Sequence, residues 1–286
     1  MNLLFLIIEY MENLLDIYIS FTDIIFDPIA LRIGPISITW YALSYIAGLL
    51  FSWRYAIFIS RKFYSISTEV IDSFFNNTII GVIIGGRLGY VFLYNFSYYS
   101  ENFLEIFYIW KGGMSFHGGL LGVIIAQIIT SKQFKVHFFI ITDISSITVP
   151  FGFMLGRIAN FINGELYGRI TEHPLGIIFP NGGPLPRHPS QLYEALFEGF
   201  ILLLVLNILF YFSNLKLKPG FITGIFIFLY GFFRFLIEFA REPDPQIGFL
   251  ILNLTLGQLL CFLMMVIGMV VIYISYFNFK FHSNNA

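Results

Sequence analysis

Long apolar stretches separated by short polar segments dominate the chain. A helix needs roughly 20 mostly apolar residues to cross the hydrocarbon core of a bilayer. Seven stretches have this character, and they cover residues 38–59, 70–94, 116–131, 138–160, 191–213, 219–239 and 248–276. The fourth is the most polar, since it includes Asp143 and Pro150. The pattern predicts an all-α polytopic membrane protein with about seven transmembrane helices.

The basic residues between these stretches predict the orientation. They follow the first, third and fifth stretches and recur in the tail, as Arg61, Lys62, Lys132, Lys135, Lys216, Lys218 and Lys280. Most acids lie in the opposite connections, as Asp23, Asp27, Glu101, Glu105, Glu165, Glu172, Glu242 and Asp244. Cytoplasmic loops are enriched in Lys and Arg, so the N-terminus is predicted outside and the C-terminus in the cytoplasm. The exterior connections, about 96–115 and 161–190, are the longer ones, which favours chemistry on that side.

The two ends of the chain differ from its apolar body. Residues 1–21 are predicted to be an N-terminal extension to which the sequence assigns no role, because acids from Glu9 to Asp16 interrupt its apolar run. No basic segment precedes that run and no small-residue cleavage pattern follows it, so a cleaved signal peptide is not expected. Residues 22–280 are predicted to form a single transmembrane domain, and residues 281–286 a cytoplasmic tail.

Composition agrees with a membrane protein. Hydrophobic residues make up 57% of the chain, charged residues only 12%, and the mean hydropathy is +0.79. Average soluble proteins carry about 25% charged residues, so this chain has too little polar surface to stay dissolved. The formal net charge of -1 gives no indication of a nucleic-acid partner.

The chain contains one cysteine, Cys261, within an apolar run. A single cysteine excludes an intramolecular disulfide and a zinc site built on thiolates. The neighbouring residues from Leu259 to Met265 include no base, and a thiol buried among apolar groups stays protonated. Cys261 is therefore predicted to be structural and not a nucleophile.

Several ionisable residues fall inside the predicted spans, where lipid makes them costly and a functional role is the default hypothesis. They are Arg87, Asp143, Arg157, Glu194, Glu198, Arg234 and Glu238. Arg157, Asn160 and Gly164 recur at i, i+3 and i+7, which predicts one helix face. An arginine snorkelling at a helix end is the alternative, but it does not require Asn160 on the same face. A polar site around Arg157 is the preferred interpretation.

A second polar stripe is formed by Tyr230, Arg234, Glu238 and Arg241 at i, i+4, i+8 and i+11. The alternative is a purely structural ion pair between Arg234 and Glu238. Such a self-contained pair would leave Tyr230 and Arg241 unexplained. We therefore predict a functional role for Arg234 and a supporting role for Glu238.

His117 lies in a glycine-rich segment, residues 112–119, where the third span is predicted to begin. Glycines let backbone and ligand approach closely, but no Lys-Ser/Thr follows, so the segment is not a P-loop. A loop histidine at the water boundary explains the spacing equally well. A metal site is not expected, because His173 and His188 do not lie at ligand spacing with His117.

Two local patterns predict how helices pack and begin. Gly81, Gly85 and Gly89 repeat every four residues, which predicts a small-residue face for tight helix packing. Ser190 follows a loop and precedes an apolar helix, which makes it a candidate N-cap. The polar stripes and the His117 segment predict two or more arginines near the exterior surface, with an asparagine, a tyrosine and one histidine close by. Arginines bind phosphate through forked hydrogen bonds, so the natural ligand at that depth is a phospholipid headgroup.

The segment Gly156–Gly168, with the sequence GRIANFINGELYG, closely resembles the signature of the phosphatidylglycerol–prolipoprotein diacylglyceryl transferase family. The family typically has Trp where this chain has Tyr167. Further blocks match in the same order, namely Trp40-Tyr41, Gly85–Tyr90, Ser115–Gly119, Arg187–Glu194 and the closing block Arg234–Asp244. The resemblance covers roughly residues 20–275, and the segment before about Thr22 departs from the pattern.

The resemblance implies a multi-pass enzyme of the bacterial inner membrane with its active site toward the exterior. Such an enzyme transfers diacylglyceryl from phosphatidylglycerol to the lipobox cysteine thiol of a prolipoprotein signal peptide and releases glycerol phosphate. No cofactor, metal or nucleotide is implied. The implied catalytic residues are Tyr41, His117, Arg157, Asn160, Tyr230 and Arg234. The implied substrate-binding residues are Arg157, Arg234, Asn160, Glu165, Gly168, Glu238 and Arg241.

Elementary chemistry agrees with that reaction. A free thiol has a pKa of about 8.5, so its attack on the glyceryl carbon needs a general base or a positive field. Histidine titrates near neutral pH, so His117 is the candidate base or an orienting group. Arg157 and Arg234 could stabilise the charge of the leaving phosphate. The alternatives are a phospholipid carrier or flippase without covalent chemistry, and a structural subunit whose polar stripes join helices.

Thiol labelling tests the predicted orientation. In a Cys261→Ala background, Glu101→Cys should react with a membrane-impermeant reagent on intact cells. Lys132→Cys and Lys216→Cys should react only after permeabilisation, because the positive-inside rule places them in the cytoplasm. External labelling at position 132 or 216 would contradict the orientation.

Overall fold

The structure is a computed structural model that describes residues 19–21, 27–242, 250 and 254–283. Its helices are α1 (Trp40–Phe63), α2 (Thr68–Tyr94), α3 (Phe96–Glu101), α4 (Phe116–Phe134), α5 (Phe138–Ile162), α6 (Ser190–Phe212), α7 (Phe221–Ile237) and α8 (Leu256–Ser283). The strands are β1 (Ile19–Ser20), β2 (Ile29–Ile33), β3 (Ile36–Thr39) and β4 (Ile177–Ile178). Short 3-10 turns cover Phe103–Phe107, Ile109–Lys111 and Leu215–Leu217.

The apolar pattern of the sequence corresponds to these helices. Within the described residues, α1, α2, α5, α6 and α8 are long and apolar enough to cross a membrane. Helix α7 is also apolar but has 17 residues, and α4 has 19. Each predicted apolar stretch overlaps one of these seven helices, and five of the helices are candidate spans, so the predicted helical membrane class is confirmed. Residues 1–18 of the predicted extension lie outside the described residues.

The boundaries of the helices follow from local chemistry. The Ser115 side chain caps α4 by accepting a hydrogen bond from the Gly118 N–H at 3.2 Å. The prediction that Ser190 caps α6 is wrong, because Pro189 occupies that position and Ser190 is the first helical residue. The Ser190 hydroxyl instead donates to the Leu166 carbonyl at 3.0 Å, which ties the preceding loop to the helix.

The first predicted polar stripe is only partly helical. Helix α5 contains Arg157 and Asn160 but ends at Ile162. Gly164 has a φ of 64°, which is the left-handed conformation that commonly ends a helix and favours glycine. The prediction that Gly164 shares a helical face with Arg157 is therefore wrong. The polar stripe stops at Asn160, and the chain turns away two residues later.

The chain forms two compact units, residues 53–145 and residues 1–52 with 146–286. In the first unit, the glycines of α2 lie directly against glycines of α4. A Cβ added to Gly89 would lie 2.8 Å from the Gly118 Cα, and one added to Gly81 would lie 2.5 Å from the Gly122 carbonyl oxygen. The predicted small-residue packing face is confirmed, and backbone meets backbone along it.

In the second unit, a small aromatic core joins residues that are far apart in sequence. Strand β1 pairs in parallel with β4, so Ile19 lies opposite Ile177. Phe21 packs beside this pair against Phe161 and Phe179, with ring centroids 5.5 and 5.4 Å away. Strands β2 and β3 form a hairpin. Residues 19–21 of the predicted extension therefore belong to the folded body.

The glycine contacts of α4 can be tested with neighbouring positions. Gly118→Ala should destabilise the protein by about 1–3 kcal/mol, because its Cβ would strike the Gly85 carbonyl group. Gly119→Ala is the matched control, since its Cβ would have no atom closer than 3.9 Å. Thermal unfolding in detergent measures both variants. Equal stabilities of the two variants would contradict backbone contact at Gly118.

Candidate active site

Three arginines converge on one buried carboxylate in the unit that contains residues 146–286. Glu194, in the first turns of α6, has a fully buried side chain. Its Oε2 lies 2.6 Å from the Arg157 Nε, and its Oε1 lies 3.0 Å from an Arg234 terminal nitrogen. Arg241 also pairs with Oε1. The two predicted polar stripes therefore meet at a residue that belongs to neither of them.

Two further carboxylates complete the cluster. Glu198 lies 3.4 Å from Arg234, and Glu238 lies 3.5 Å from Arg234 and 3.6 Å from Arg241. The three arginine side chains are 19–24% exposed, whereas the three glutamates are at most 9% exposed. Their formal charges cancel. Buried charges are tolerated when they are paired in this way, and removal of one partner is costly.

The shape of α6 brings two of these glutamates into the cluster. Residues Ala195–Ile201 form a π-helical segment, in which the helix is wider than an α-helix. Such segments are rare in proteins, and those that occur are often found at functional sites. Glu194 immediately precedes this segment, and Glu198 lies in its middle. Gly199 allows close contact with α5, since a Cβ there would lie 2.5 Å from the Met154 Cβ. Both carboxylates can therefore reach the arginine cluster.

The arginines keep donors that the protein does not use. An arginine has five N–H donors, and Arg157 approaches Glu194 through its Nε alone, as an ion pair. Among the described residues, neither terminal nitrogen of Arg157 has a partner, and one terminal nitrogen of Arg234 also has none. Glu194 thus fixes the guanidinium groups from one side. Their remaining donors are available to an anion such as a phosphate.

The two predicted tyrosines lie beside this cluster. The Tyr41 hydroxyl shares a hydrogen bond of 3.0 Å with Tyr45, and the side chain lies within electrostatic reach of Arg157 and Glu165. Tyr230 interacts electrostatically with Arg234 and Glu198, and its ring centroid is 5.5 Å from that of Phe153. Both tyrosines are therefore close enough to the clustered charges to interact with them electrostatically.

Asn160 is directed by the loop that follows α5. Its amide nitrogen donates to the Glu165 carboxylate at 2.9 Å, and Asn163 donates to the same oxygen at 3.0 Å. The loop is fixed in turn, because the Gln191 side chain donates to the Glu165 carbonyl at 2.6 Å. Glu165 therefore orients Asn160 one helical turn from Arg157.

Gly168 lies where three chain segments cross. Its N–H donates to the His188 carbonyl at 2.8 Å, and a Cβ at this position would strike the Ala240 carbonyl oxygen. The neighbouring Arg169 donates from its side chain to the Arg241 carbonyl at 2.5 Å. Gly168 thus has a backbone role here, which is to let the 168–169 segment pack against the segment that carries Arg241.

His188 lies in the same crossing but does not add positive charge to it. Burial lowers the pKa of the His188 imidazole, and nearby His173 adds to this effect. Its Nδ1 lies 3.3 Å from the Tyr193 hydroxyl. The neutral form is therefore favoured, and the arginines remain the cations of this region.

His117 belongs to the other unit, residues 53–145. It lies in the first turn of α4 with an exposed side chain, and its ring is 5.7 Å from that of Phe116. In the described part of the chain its ring nitrogens make no hydrogen bond. The imidazole is thus accessible, and it is positioned by its backbone and not by a polar partner.

Comparison with known proteins gives the family. The family model described as Prolipoprotein diacylglyceryl transferase matches residues 28–274. The chain belongs to this family. A phosphatidylglycerol--prolipoprotein diacylglyceryl transferase of Wolbachia pipientis subsp. Culex pipiens (strain wPip) is 48% identical over 260 residues, which cover 90% of this chain and 98% of the relative. The proteins of that name from Rickettsia akari and Rickettsia felis are 51% and 49% identical, and each alignment covers 85% of this chain and 94% of the relative.

Glu194 and Glu198 are the residues of this family member that the sequence-based site did not include. Both were visible as costly charges at the start of an apolar span. Their pairing was not visible, because Glu194 bonds Arg234 and Arg241 across 40 and 47 residues of sequence. Their position among the ionisable residues of the predicted spans was the available signal.

Neutralising Glu194 tests whether it organises the cluster. Glu194→Gln should destabilise the protein by about 3–5 kcal/mol, because it leaves three arginines with two carboxylates in a buried site. The matched control is Glu242→Gln. Glu242 pairs with Arg187 at 2.7 Å but is 51% exposed, so the cost should stay below about 1 kcal/mol. Thermal unfolding in detergent decides, and a Glu194→Gln protein as stable as the control would contradict the buried pairing.

Proposed function

We propose that this protein transfers the diacylglyceryl group of phosphatidylglycerol to the lipobox cysteine thiol of bacterial prolipoproteins and releases glycerol phosphate. Membership of the family and the names of the relatives support this reaction. The observation that carries it is the convergence of Arg157 and Arg234 on Glu194 with unused donors on both arginines. Such a preorganised pair suits a phosphate that gains charge as it leaves.

The reaction forms one bond and breaks one. The thiol sulfur bonds to the glyceryl carbon, and the bond between that carbon and the phosphate oxygen breaks. The oxygen keeps the electron pair, so glycerol phosphate leaves with an additional negative charge. The thiol proton goes to a base, for which we propose His117 because its imidazole is exposed and a ring nitrogen can accept the proton.

The cluster supplies the other proposed roles. Arg157 and Arg234 bind the phosphate and stabilise its developing charge. Asn160, Tyr41 and Tyr230 provide neutral hydrogen-bond donors beside them. Glu165, Gly168, Glu238 and Arg241 contribute to the substrate site through positioning, since Glu165 bonds Asn160 and Glu238 pairs with both Arg234 and Arg241.

The proposed cellular setting follows from the same family. We place the protein in the bacterial inner membrane as a multi-pass protein with about seven spans, its N-terminus outside and its C-terminus in the cytoplasm. The site faces the exterior, where secreted precursors emerge. Residues 22–280 then act as one catalytic domain, with phosphatidylglycerol and the prolipoprotein signal peptide as partners and no cofactor.

The decisive assay incubates purified protein with labelled phosphatidylglycerol and a lipobox peptide and measures the peptide mass. A peptide with Ser in place of Cys should stay unmodified, because an alcohol is too weak a nucleophile without further activation. Lipid binding or movement without a modified Cys peptide would refute transfer and favour a carrier.

The arginine variants test phosphate recognition. Arg157→Lys and Arg234→Lys should each lower the transfer rate by about a hundred- to a thousandfold, because lysine lacks the planar fork of donors. The double variant should lose less than the product of the single losses, since both side chains act on one phosphate. Arg32→Lys, at an exposed arginine of the β2–β3 hairpin, is the control and should stay active. Full activity in either cluster variant would show that a point charge suffices.

A further inference from the structure

Arg87 is a buried arginine that the proposed chemistry does not use. It lies in α2 and is 3% exposed. Its guanidinium donates to four backbone carbonyls: Glu105 at 2.7 Å, Ile106 at 2.8 Å, Gly112 at 2.5 Å and Gly113 at 3.3 Å. The Tyr99 ring lies under its plane, 5.1 Å from the central carbon. All these partners belong to the connection between α2 and α4, residues 95–115.

This arrangement is unusual in its charge balance. Arg87 forms no ion pair in the described part of the chain, whereas the arginines around Glu194 are paired with carboxylates. Carbonyl dipoles and the face of one aromatic ring compensate its charge instead. A fork of fixed donors can hold four carbonyls at once, which a lysine ammonium with three donors cannot do. The Arg87 guanidinium therefore fixes the backbone of residues 105–113.

The fixed backbone leads directly to His117. Next to Arg87, the Gly86 carbonyl accepts a hydrogen bond of 2.8 Å from the Ser115 N–H. Ser115 then caps α4, and His117 follows in the first turn. On the other side of His117, Gly118 packs on the backbone of Gly85 and Gly89. The turn that carries the imidazole is thus fixed from both sides, by Arg87 through the connection and by the glycine contacts.

We infer that Arg87 is a positioning residue that sets the direction of the His117 imidazole by holding residues 95–115 on α2. This inference rests on the proposed role of His117 in transfer. Arg87 itself does not touch substrate. Its loss should therefore reduce the chemical step and leave lipid binding intact.

A double-mutant cycle tests the connection. Arg87→Met should lower kcat by about a hundredfold, since a displacement of about 1 Å in a catalytic group has that effect. The KM for phosphatidylglycerol should change less than about twofold. In a His117→Gln background, Arg87→Met should cost less than about twofold more, because the group it positions is already absent. Losses that multiply would show a general structural role and overturn the inference.

The matched control lies in the same connection. The Glu105 side chain bonds Lys111 and Tyr98 at the surface, and only its backbone carbonyl reaches Arg87. Glu105→Gln should keep wild-type kcat and KM. If Arg87→Met does not fold, Arg87→Lys replaces it in the same cycle. Failure of both variants to fold would assign Arg87 to stability alone.

A spectroscopic measurement separates this inference from the proposed function. His117→Cys in a Cys261→Ala background leaves one thiol for a nitroxide spin label. The label stands on an exposed position, so its spectrum reports mainly the motion of the helical turn that carries it. It should be less mobile in the otherwise unchanged protein and with Glu105→Gln than with Arg87→Met. Unchanged mobility with Arg87→Met would overturn the positioning role. Transfer activity is measured separately, on the protein that keeps His117. If that protein shows no transfer but the spin label shows this mobility change, the proposed function is refuted and the fixation by Arg87 stands.

Discussion

The pairing of Glu194 with three arginines is the interaction on which the rest of the candidate site depends. An isolated cation among apolar helices is costly, and three arginines gathered around one point would repel one another. A fully buried carboxylate between them removes that repulsion and fixes the direction of each guanidinium. The residues that would read a phosphate are thus oriented before any substrate binds, which is the condition for electrostatic catalysis.

The irregular segments serve the same cluster. The loop after α5 is fixed by Gln191 and Ser190 of α6, and it directs Asn160 through Glu165. The 168–169 segment bonds the chain just after α7, where Arg241 is located. Long-range backbone bonds therefore connect the ends of three helices. Where these backbones cross, a side chain would collide with the neighbouring segment, so a glycine such as Gly168 is needed.

The sequence predicted what depends on local patterns. The apolar stretches gave the helices, because a length of about 20 apolar residues has few other structural solutions. The spacing of Gly81, Gly85 and Gly89 predicted a packing face, because residues four apart lie on the same side of a helix. The stripe from Arg157 failed at Gly164, since helical spacing alone does not show where a helix ends. The prediction of Ser190 as the cap failed because the preceding Pro189 holds the N-cap position and Ser190 is already helical.

The centre of the site was beyond local patterns. Glu194 was visible only as a charge in an apolar span, and its partners lie 40 and 47 residues away. Such pairings depend on how helices assemble, which no periodicity encodes. The family motifs identify which segments of the chain contribute residues to the site. They do not show that Glu194 pairs with three of those residues and orients them.

The glycine contacts between α2 and α4 have a mechanical consequence. Along this line, backbone touches backbone at Gly81, Gly89, Gly118 and Gly122 with no side chain between. Without side chains there are no rotamers to change, so the two helices cannot slide past each other by small repacking steps. We therefore expect the two helices to move together as one rigid unit. The flexibility needed to admit a two-tailed lipid and to release a modified peptide must therefore come from other, side-chain-filled contacts of the protein.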